Sequence, residues 1–368
     1  VKRIFAQARK ELTQVLRDRL TLALALVLPL ALLALMGYAI SLSVTDLPIV
    51  VQDFDNSPSS RRYIAAFRSS LTFRIVELPI GEKPERALLD NSARAAIIIP
   101  EHFESDLERG LATEVQILID ASDANTANVM RGSATAVTQV FSSKLTTASV
   151  PMPIKAEVRL WFNPGRESDK YIAPSMLVVG LALFPPLLAA LAMSREGEQK
   201  TILQVYVSSI TAREYILGKI LAYMAIALVE WFLCILLVYF LFDLTIKGDP
   251  TPLLVCTIIY LFTNVCFGTL IGVAIPNQAA AIQAVQIVGF LLSYLLSGAI
   301  FPIASIPPAI RWFSYLIPAS YYNIVVRDAL VRGGNWSSAW FAPFALAAIG
   351  TVFFTLAWVR MRKMQIEA

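Results

Sequence analysis

PTPLLVCTIIYLFTNVCFGTLIGVAIPNQAAAIQAVQIVGFLLSYLLSGAIFPIASIPPAI, residues 250–310, contains no charged side chain. A helix crosses the hydrocarbon of a bilayer with about 20 apolar residues, so the run is long enough for two crossings. Pro276-Asn277-Gln278 marks the break between them. The spacing predicts spans at Pro252–Ile275 and Ala280–Ile300.

Working outward, Leu20–Ser41, Tyr171–Met193, Ile220–Phe242 and Ser338–Val359 have the same character, which makes six expected spans. The chain of 368 residues is 57% hydrophobic and 16% charged, against about 25% charged in soluble proteins. Charge is also segregated. Residues 43–170 hold 14 of the 31 Lys and Arg and 17 of the 27 Asp and Glu, leaving 17 basic and 10 acidic groups for the other 240 residues. The fold class is therefore a polytopic α-helical membrane protein with an inserted polar domain, and the net charge of +4 calls for no nucleic-acid partner.

Lys and Arg concentrate beside cytoplasmic ends of spans. Lys2, Arg3, Arg9, Lys10, Arg17 and Arg19 precede the first span. Arg195, Lys200, Arg213 and Lys219 follow the second, and Arg360, Arg362 and Lys363 follow the last. Both termini are thus expected in the cytoplasm, with residues 43–170 outside. The first apolar run is longer than a signal peptide's and lacks its small-residue cleavage site. Before it, Ile4, Phe5, Ala8, Leu12, Val15 and Leu16 recur at helical spacing among cations. Residues 1–19 are expected to form an amphipathic helix in the headgroup plane, and 20–42 the first span. Cys234, Cys256 and Cys266 all lie in apolar runs, so no disulfide framework is implied.

Within 43–170, strand-like segments at 48–54, 73–78, 95–99, 115–119 and 156–162 alternate with helix-like ones at 58–70, 83–89, 103–109 and 124–145. That alternation predicts an α/β extracytoplasmic domain. Asp53, Asp55 and Asn56, with Asp120 and Asp123, fall at strand-to-helix turns, where capping explains them better than a cation site. His102 is the single histidine and has no recognisable partner as a base, so it reads as a surface helix residue. No metal set and no catalytic residue is expected.

Three stretches carry a family resemblance. Val50-Val51-Gln52-Asp53-Phe54-Asp55-Asn56-Ser57-Pro58-Ser59-Ser60-Arg61 ends in a D-x-D-x-S-x-x-S-R pattern. Trp161-Phe162-Asn163-Pro164 leads to Ala173-Pro174. Ser297-Gly298-Ala299-Ile300-Phe301-Pro302 continues through Ile306-Pro307-Pro308, Trp312, Tyr315-Leu316-Ile317-Pro318 and Tyr321-Tyr322 to Arg327. In this order they resemble the ABC-2 type permeases, in the subgroup with a large outer domain between spans one and two. The resemblance covers nearly the whole chain. It implies the membrane subunit of an exporter moving a drug-like molecule or lipid, with ATP and Mg bound by a separate ATPase dimer. It also implies a second permease copy or paralogue in the bacterial inner membrane, and admits a periplasmic adaptor. No G-x-x-x-x-G-K-[ST] loop occurs in the chain.

The polar segment 194–214 resembles the loop that docks in a cleft of the ATPase, with Arg195, Glu196, Gly197, Thr201 and Leu203 as implied contacts. The family usually has adjacent Gly-Thr and a later Thr-Pro; here Gly197 and Thr201 are apart and Ser208-Ser209 replaces Thr-Pro. An ionisable group within a span is a functional candidate, and Glu230 is the one charge in the middle of a span. It lines the translocation route or bonds to a neighbouring helix; both readings stand. Gln283, Gln286 and Tyr294 offer hydrogen-bonding groups to a cavity or, equally, to another helix. Asn264, Gly268 and Gly272 form a small face suited to close packing. Phe301, Pro302, Pro307, Pro308, Trp312 and Tyr315 belong to a re-entrant element at 301–318 and are the candidate outer gate. A receptor with a ligand-binding outer domain is the rival reading, but the short cytoplasmic segments hold no output module. A secondary transporter ranks lower, since only Glu230 offers a coupling charge.

Overall fold

Asp18 makes the first corner. In the computed structural model, which describes residues 2–39, 46–78, 83–90, 92–121, 124–145, 169–201, 210–300 and 302–364, helix α1 (Lys2–Arg17) stops there and α2 (Arg19–Ala39) begins. The Asp18 carboxylate accepts hydrogen bonds from Thr21 N (3.1 Å) and Thr21 Oγ1 (2.6 Å). It thereby caps the first turn of α2, and the chain turns through 95° between the two helices. By contact the chain divides into two units, Val1–Ser41 with Arg159–Ala368, and Leu42–Val158.

The second unit is built on a four-stranded sheet of order β2-β1-β3-β4. Strand β1 (Leu47–Asp53) runs parallel to β2 (Phe73–Val76) and to β3 (Ala95–Ile99), and β4 (Gln116–Ile119) is antiparallel to β3. Side chains alternate across a strand, so Ile49, Ile97 and Ile99 bury one face and Val50 and Ala96 the other. The first face takes Tyr63 and Phe67 of α3 (Pro58–Arg68), Phe103 of α5 (Phe103–Glu108), and Met130, Ala134 and Phe141 of α6 (Ala124–Leu145). The second takes Ala87 of α4 (Pro84–Leu89). Burial raises the pKa of the Tyr63 phenol, although Thr138 hydrogen-bonds to it. The strand expected at 156–162 lies outside the described residues.

In the first unit the expected span over Tyr171–Met193 lies within one membrane-length run, Lys170–Glu198, interrupted by a turn at residues 182–183. Helix α7 (Asp169–Leu181) ends two residues before α8 (Phe184–Glu198). Pro185 and Pro186 lack amide hydrogens and their rings crowd the preceding turn, so they fit only the start of a helix. Helix α9 (Ala212–Phe242) starts eight residues before the expected Ile220, because Thr211 and Glu214 form a capping box. Helix α10 (Thr251–Ala274) is followed by α11 (Gln278–Ala284), a π-helical stretch Val285–Leu291 and α12 (Leu292–Leu296). This run stops short of Ile300, and Gly298 takes a φ of +80°, a conformation that favours glycine. Helices α13 (Pro308–Ser314) and α14 (Pro318–Arg327) come next, and α15 (Trp336–Ala339) precedes α16 (Ala342–Met364).

Among the described residues, five helical runs (170–198, 212–242, 251–274, 278–296 and 336–362) are long and apolar enough to cross a membrane, or six if α1 and α2 are counted as one bent span. Helices α8 and α10 approach closely at two glycines. A Cβ built on Gly268 would collide with the Pro186 carbonyl, and one on Gly272 would lie 2.5 Å from Met193 Cβ. Thr263 joins α10 to α16 by donating to Leu346 O at 3.0 Å.

Candidate functional site

Two groups of polar side chains sit at opposite ends of the helices of the first unit. At the end that carries α1, the helix lays Ala8, Glu11 and Val15 on the protein and leaves Phe5 and Leu16 exposed. Part of the side expected to face lipid thus rests on protein. Gly218 of α9 explains the approach: a Cβ there would lie 2.6 Å from Gln7 Cβ.

One residue further on, Lys219 is 1% exposed. Its Nζ lies 3.0 Å from Glu11 Oε1 and 3.2 Å from Glu196 Oε1. Lys10 closes the group, 3.4 Å from the same Glu196 oxygen and 3.7 Å from Glu11. Gln7 Nε2 donates to Glu11 Oε1 (3.0 Å), and the Tyr223 hydroxyl donates to Glu11 Oε2 (3.3 Å). The formal charges of Lys10, Glu11, Glu196 and Lys219 cancel. A buried ammonium costs several kcal/mol in lost hydration and persists only where anions offset it. Here two anions from two other helices do so, which ties α1, α8 and α9 together. Beside this cluster lies a cavity of about 490 Å³, lined among others by Gln14, Arg195, Glu196 and Thr201.

The residues expected to face an ATPase are thus partly engaged within the chain. Residues 194–198 are the last turn of α8 and not a loop, and the helix runs through Gly197 to end at Glu198. Lys200 then takes a φ of +57°. Glu196 faces Lys219, and Gly197 lies against Pro276, where a Cβ would meet the proline ring at 3.3 Å. Glu198 Oε2 accepts from Gln278 N (3.2 Å) and Nε2 (2.8 Å), which fixes the start of α11. Leu203 and Ser208-Ser209 lie outside the described residues. Glu11 was missed from sequence, although a lysine inside an apolar run demands a buried partner.

At the opposite end, Arg327 gathers three elements. Its Nε donates to Ser175 Oγ and its Nη2 to Ala299 O, each at 3.0 Å. The guanidinium lies 4.0 Å from the ring centre of Tyr171, a cation–π contact. Asn323 Nδ2 adds a bond to Ser297 O at 3.3 Å. Deeper, the Tyr322 hydroxyl meets Thr257 Oγ1 (2.7 Å) and accepts from Trp231 Nε1 (3.1 Å), and the Tyr322 and Tyr260 rings stack at 4.2 Å. Pro302, Pro307, Pro308, Trp312 and Tyr315 are all exposed, while Phe301 lies outside the described residues. Arg311 Nη2 holds the turn before α13 by donating to Ala304 O (2.7 Å) and Ile306 O (2.9 Å).

The remaining candidates do not converge within one chain. Glu230 is buried and neither carboxylate oxygen has a hydrogen-bond partner among the described residues. Gln283 and Gln286 are exposed, and Tyr294 is half-buried with its ring stacked on Phe290 at 5.8 Å. In the sheet unit the D-x-D-x-S pattern is a turn. Asp53 Oδ1 accepts from the amides of Asp55 and Asn56 (3.1 Å each), and Asp53 Oδ2 from Ser60 Oγ (2.6 Å). Asp55 caps Glu104 N at 3.1 Å, and Asp120 pairs with Arg94 at 2.6 Å. Asp123 lies outside the described residues. His102 stands just ahead of α5 with a φ of +67°, not within the helix.

A family model described as "ABC-2 family transporter protein" matches residues 19–359. The chain is 27% identical to "Probable multidrug ABC transporter permease YbhS" of Escherichia coli (strain K12), over 98% of this chain and 97% of the relative. It is 22% identical to "Probable multidrug ABC transporter permease YbhR" of the same strain, over 96% and 98% of the two chains. It is 24% identical to the "Inner membrane transport permease YhhJ", over 86% and 85%.

Proposed function

The chain belongs to the ABC-2 family of transporter proteins, and from that premise we propose that it is the membrane-spanning subunit of an exporter. Its cargo is an amphipathic or hydrophobic compound, drug-like or lipid, moved outward across the inner membrane. The names of its relatives support this reading. Hydrolysis of ATP belongs to a separate ATPase dimer carrying its own Mg. We read six spans, with α1 at the membrane surface, both termini in the cytoplasm and residues 43–170 outside, on the placement of Lys and Arg. A second permease copy or paralogue completes the pathway, and a periplasmic adaptor is a further candidate partner.

The observation that carries the mechanism is the cluster of Lys10, Glu11, Glu196 and Lys219. Arg195, Glu196, Gly197, Thr201 and Leu203 belong to the segment proposed to meet the ATPase. A displacement of that segment is felt at once by α1 and α9, because Lys219 cannot leave one carboxylate without losing its compensation. At the other end Arg327 holds the entrance of α7 to the turn after α12. We assign the outer gate to Phe301, Pro302, Pro307, Pro308, Trp312 and Tyr315, and Arg327 keeps it shut in this state. Glu230, Gln283, Gln286 and Tyr294 remain candidates for the pathway, the last three facing a second copy. Transport is then a shift between two arrangements in which ATP-bound and ATP-free partners make different contacts.

The test is ATP-dependent uptake of an apolar fluorescent dye into inverted vesicles containing this chain and its ATPase. Uptake that stops when the ATPase is inactivated supports the reading. Uptake driven by a proton gradient and indifferent to ATP overturns it.

A further inference from the structure

An apolar cavity lies away from both polar clusters. It measures about 710 Å³ and is walled by α10, the π-helical stretch with α12, α13 and α16. Phe267, Phe313 and Phe353 line it together with Val352, and among the described residues no charged side chain does. Pockets for drug-sized ligands span about 300–1,000 Å³ and pair apolar walls with few polar groups. Two polar side chains are present here, Asn264 and Ser293, each at least nine-tenths buried. Asn264 Nδ2 makes no well-formed hydrogen bond among the described residues; it lies against the Tyr260 hydroxyl, and its second N–H is left for another acceptor.

We propose that this cavity binds an uncharged, compact apolar compound whose body carries one hydrogen-bond acceptor, paired with the Asn264 carboxamide. Three observations select that occupant. An ion would lose its hydration against a wall without counter-charge. An acyl chain fills the space but offers Asn264 nothing. The ester groups of a phospholipid stay in the headgroup region, whereas Asn264 sits midway along Thr251–Ala274, about 15 Å from either surface of a hydrocarbon core about 30 Å thick. The π-helical stretch supplies part of the wall: Val288 lines the cavity from within Val285–Leu291. Such bulges recur at functional sites. Identification of the occupant with the exporter's cargo rests on the reading above; the binding itself does not.

Benzophenone tests this, since it is uncharged, has two aromatic rings and one carbonyl, and inserts into nearby C–H bonds on illumination. The full chain with its ATPase in lipid nanodiscs is photolabelled and the modified peptides are mapped. Labelling at Phe267, Phe313 or Phe353 is expected. Val352→Trp, which fills the mouth from a position 54% exposed, abolishes it, and Asn264→Leu reduces it about fivefold, the worth of one hydrogen bond. Benzophenone-4-carboxylate does not label these peptides. Labelling there that ignores Val352→Trp overturns the proposal, as does equal labelling by the carboxylate. So does protection of these peptides in the permease dimer alone, which would make a second copy the occupant. Transport without such labelling leaves the exporter reading intact and removes this site; labelling without transport of any compound does the reverse.

Discussion

Lys219 and Glu11 meet at 3.0 Å in the interior, each almost fully buried, although one belongs to an apolar span and the other to the basic helix at the start of the chain. Breaking a buried pair by removing one partner costs about 3–5 kcal/mol, because the other charge is left uncompensated. Glu196 remains beside Lys219 and Lys10 beside Glu11, so Glu11→Gln and Lys219→Met are each expected to destabilise the protein by up to that amount. The double substitution costs less than the sum, since it removes both charges. Cys234, Cys256 and Cys266 are buried and free, so a thiol-reactive fluorophore reports the unfolding midpoint of each variant. Additive losses would mean that the two residues do not act as a pair.

Arg327 bonds to Ser175 and Ala299 through different nitrogens while covering Tyr171. Lysine has one point charge and cannot repeat that fork. Arg327→Lys should open the outer end, seen as faster modification of a cysteine placed at Ala299, and raise ATP hydrolysis without cargo. An unchanged modification rate would remove Arg327 from the gate.

Gly268 admits the Pro186 carbonyl where any side chain would collide. Overpacking of this kind costs about 1–3 kcal/mol. Gly268→Ala is expected to lower the unfolding midpoint, whereas Gly132→Ala, in open space on α6, is not.

Glu230 keeps two buried oxygens without hydrogen-bond partners among the described residues. An unsatisfied buried polar group costs about 1–3 kcal/mol, so Glu230→Leu should raise stability by an amount in that range. If export of every tested compound survives Glu230→Gln, the residue is not in the pathway.

Much of this was legible in the sequence where a local signal sufficed. Strand Ala95–Ile99 and helix Ala124–Leu145 have the bounds that alternation and turn residues suggest. The apolar runs around Pro276-Asn277 gave two helices with Asn277 as the cap of the second. Pro185-Pro186 carried the turn within the second span in plain view, but apolar length alone conceals it. The partner of Lys219 was out of reach for a different reason. Its carboxylates come from α1 and α8, and only tertiary packing brings Glu11 and Glu196 to one point. The apolar cavity likewise needs α10, α12, α13 and α16 at once, and the π-helical stretch rotates side chains away from any simple period.

The most direct test of the exporter account is co-purification of the chain with its ATPase after residues 195–207 are rewritten with Glu196, Gly197 and Glu198 kept, so that Lys219 retains both carboxylates and α11 its start. The account predicts that the variant unfolds at the same midpoint as the parent, by the buried-cysteine assay, yet no longer retains the ATPase or supports cargo-stimulated hydrolysis. Full retention of the ATPase with stimulation intact would contradict it.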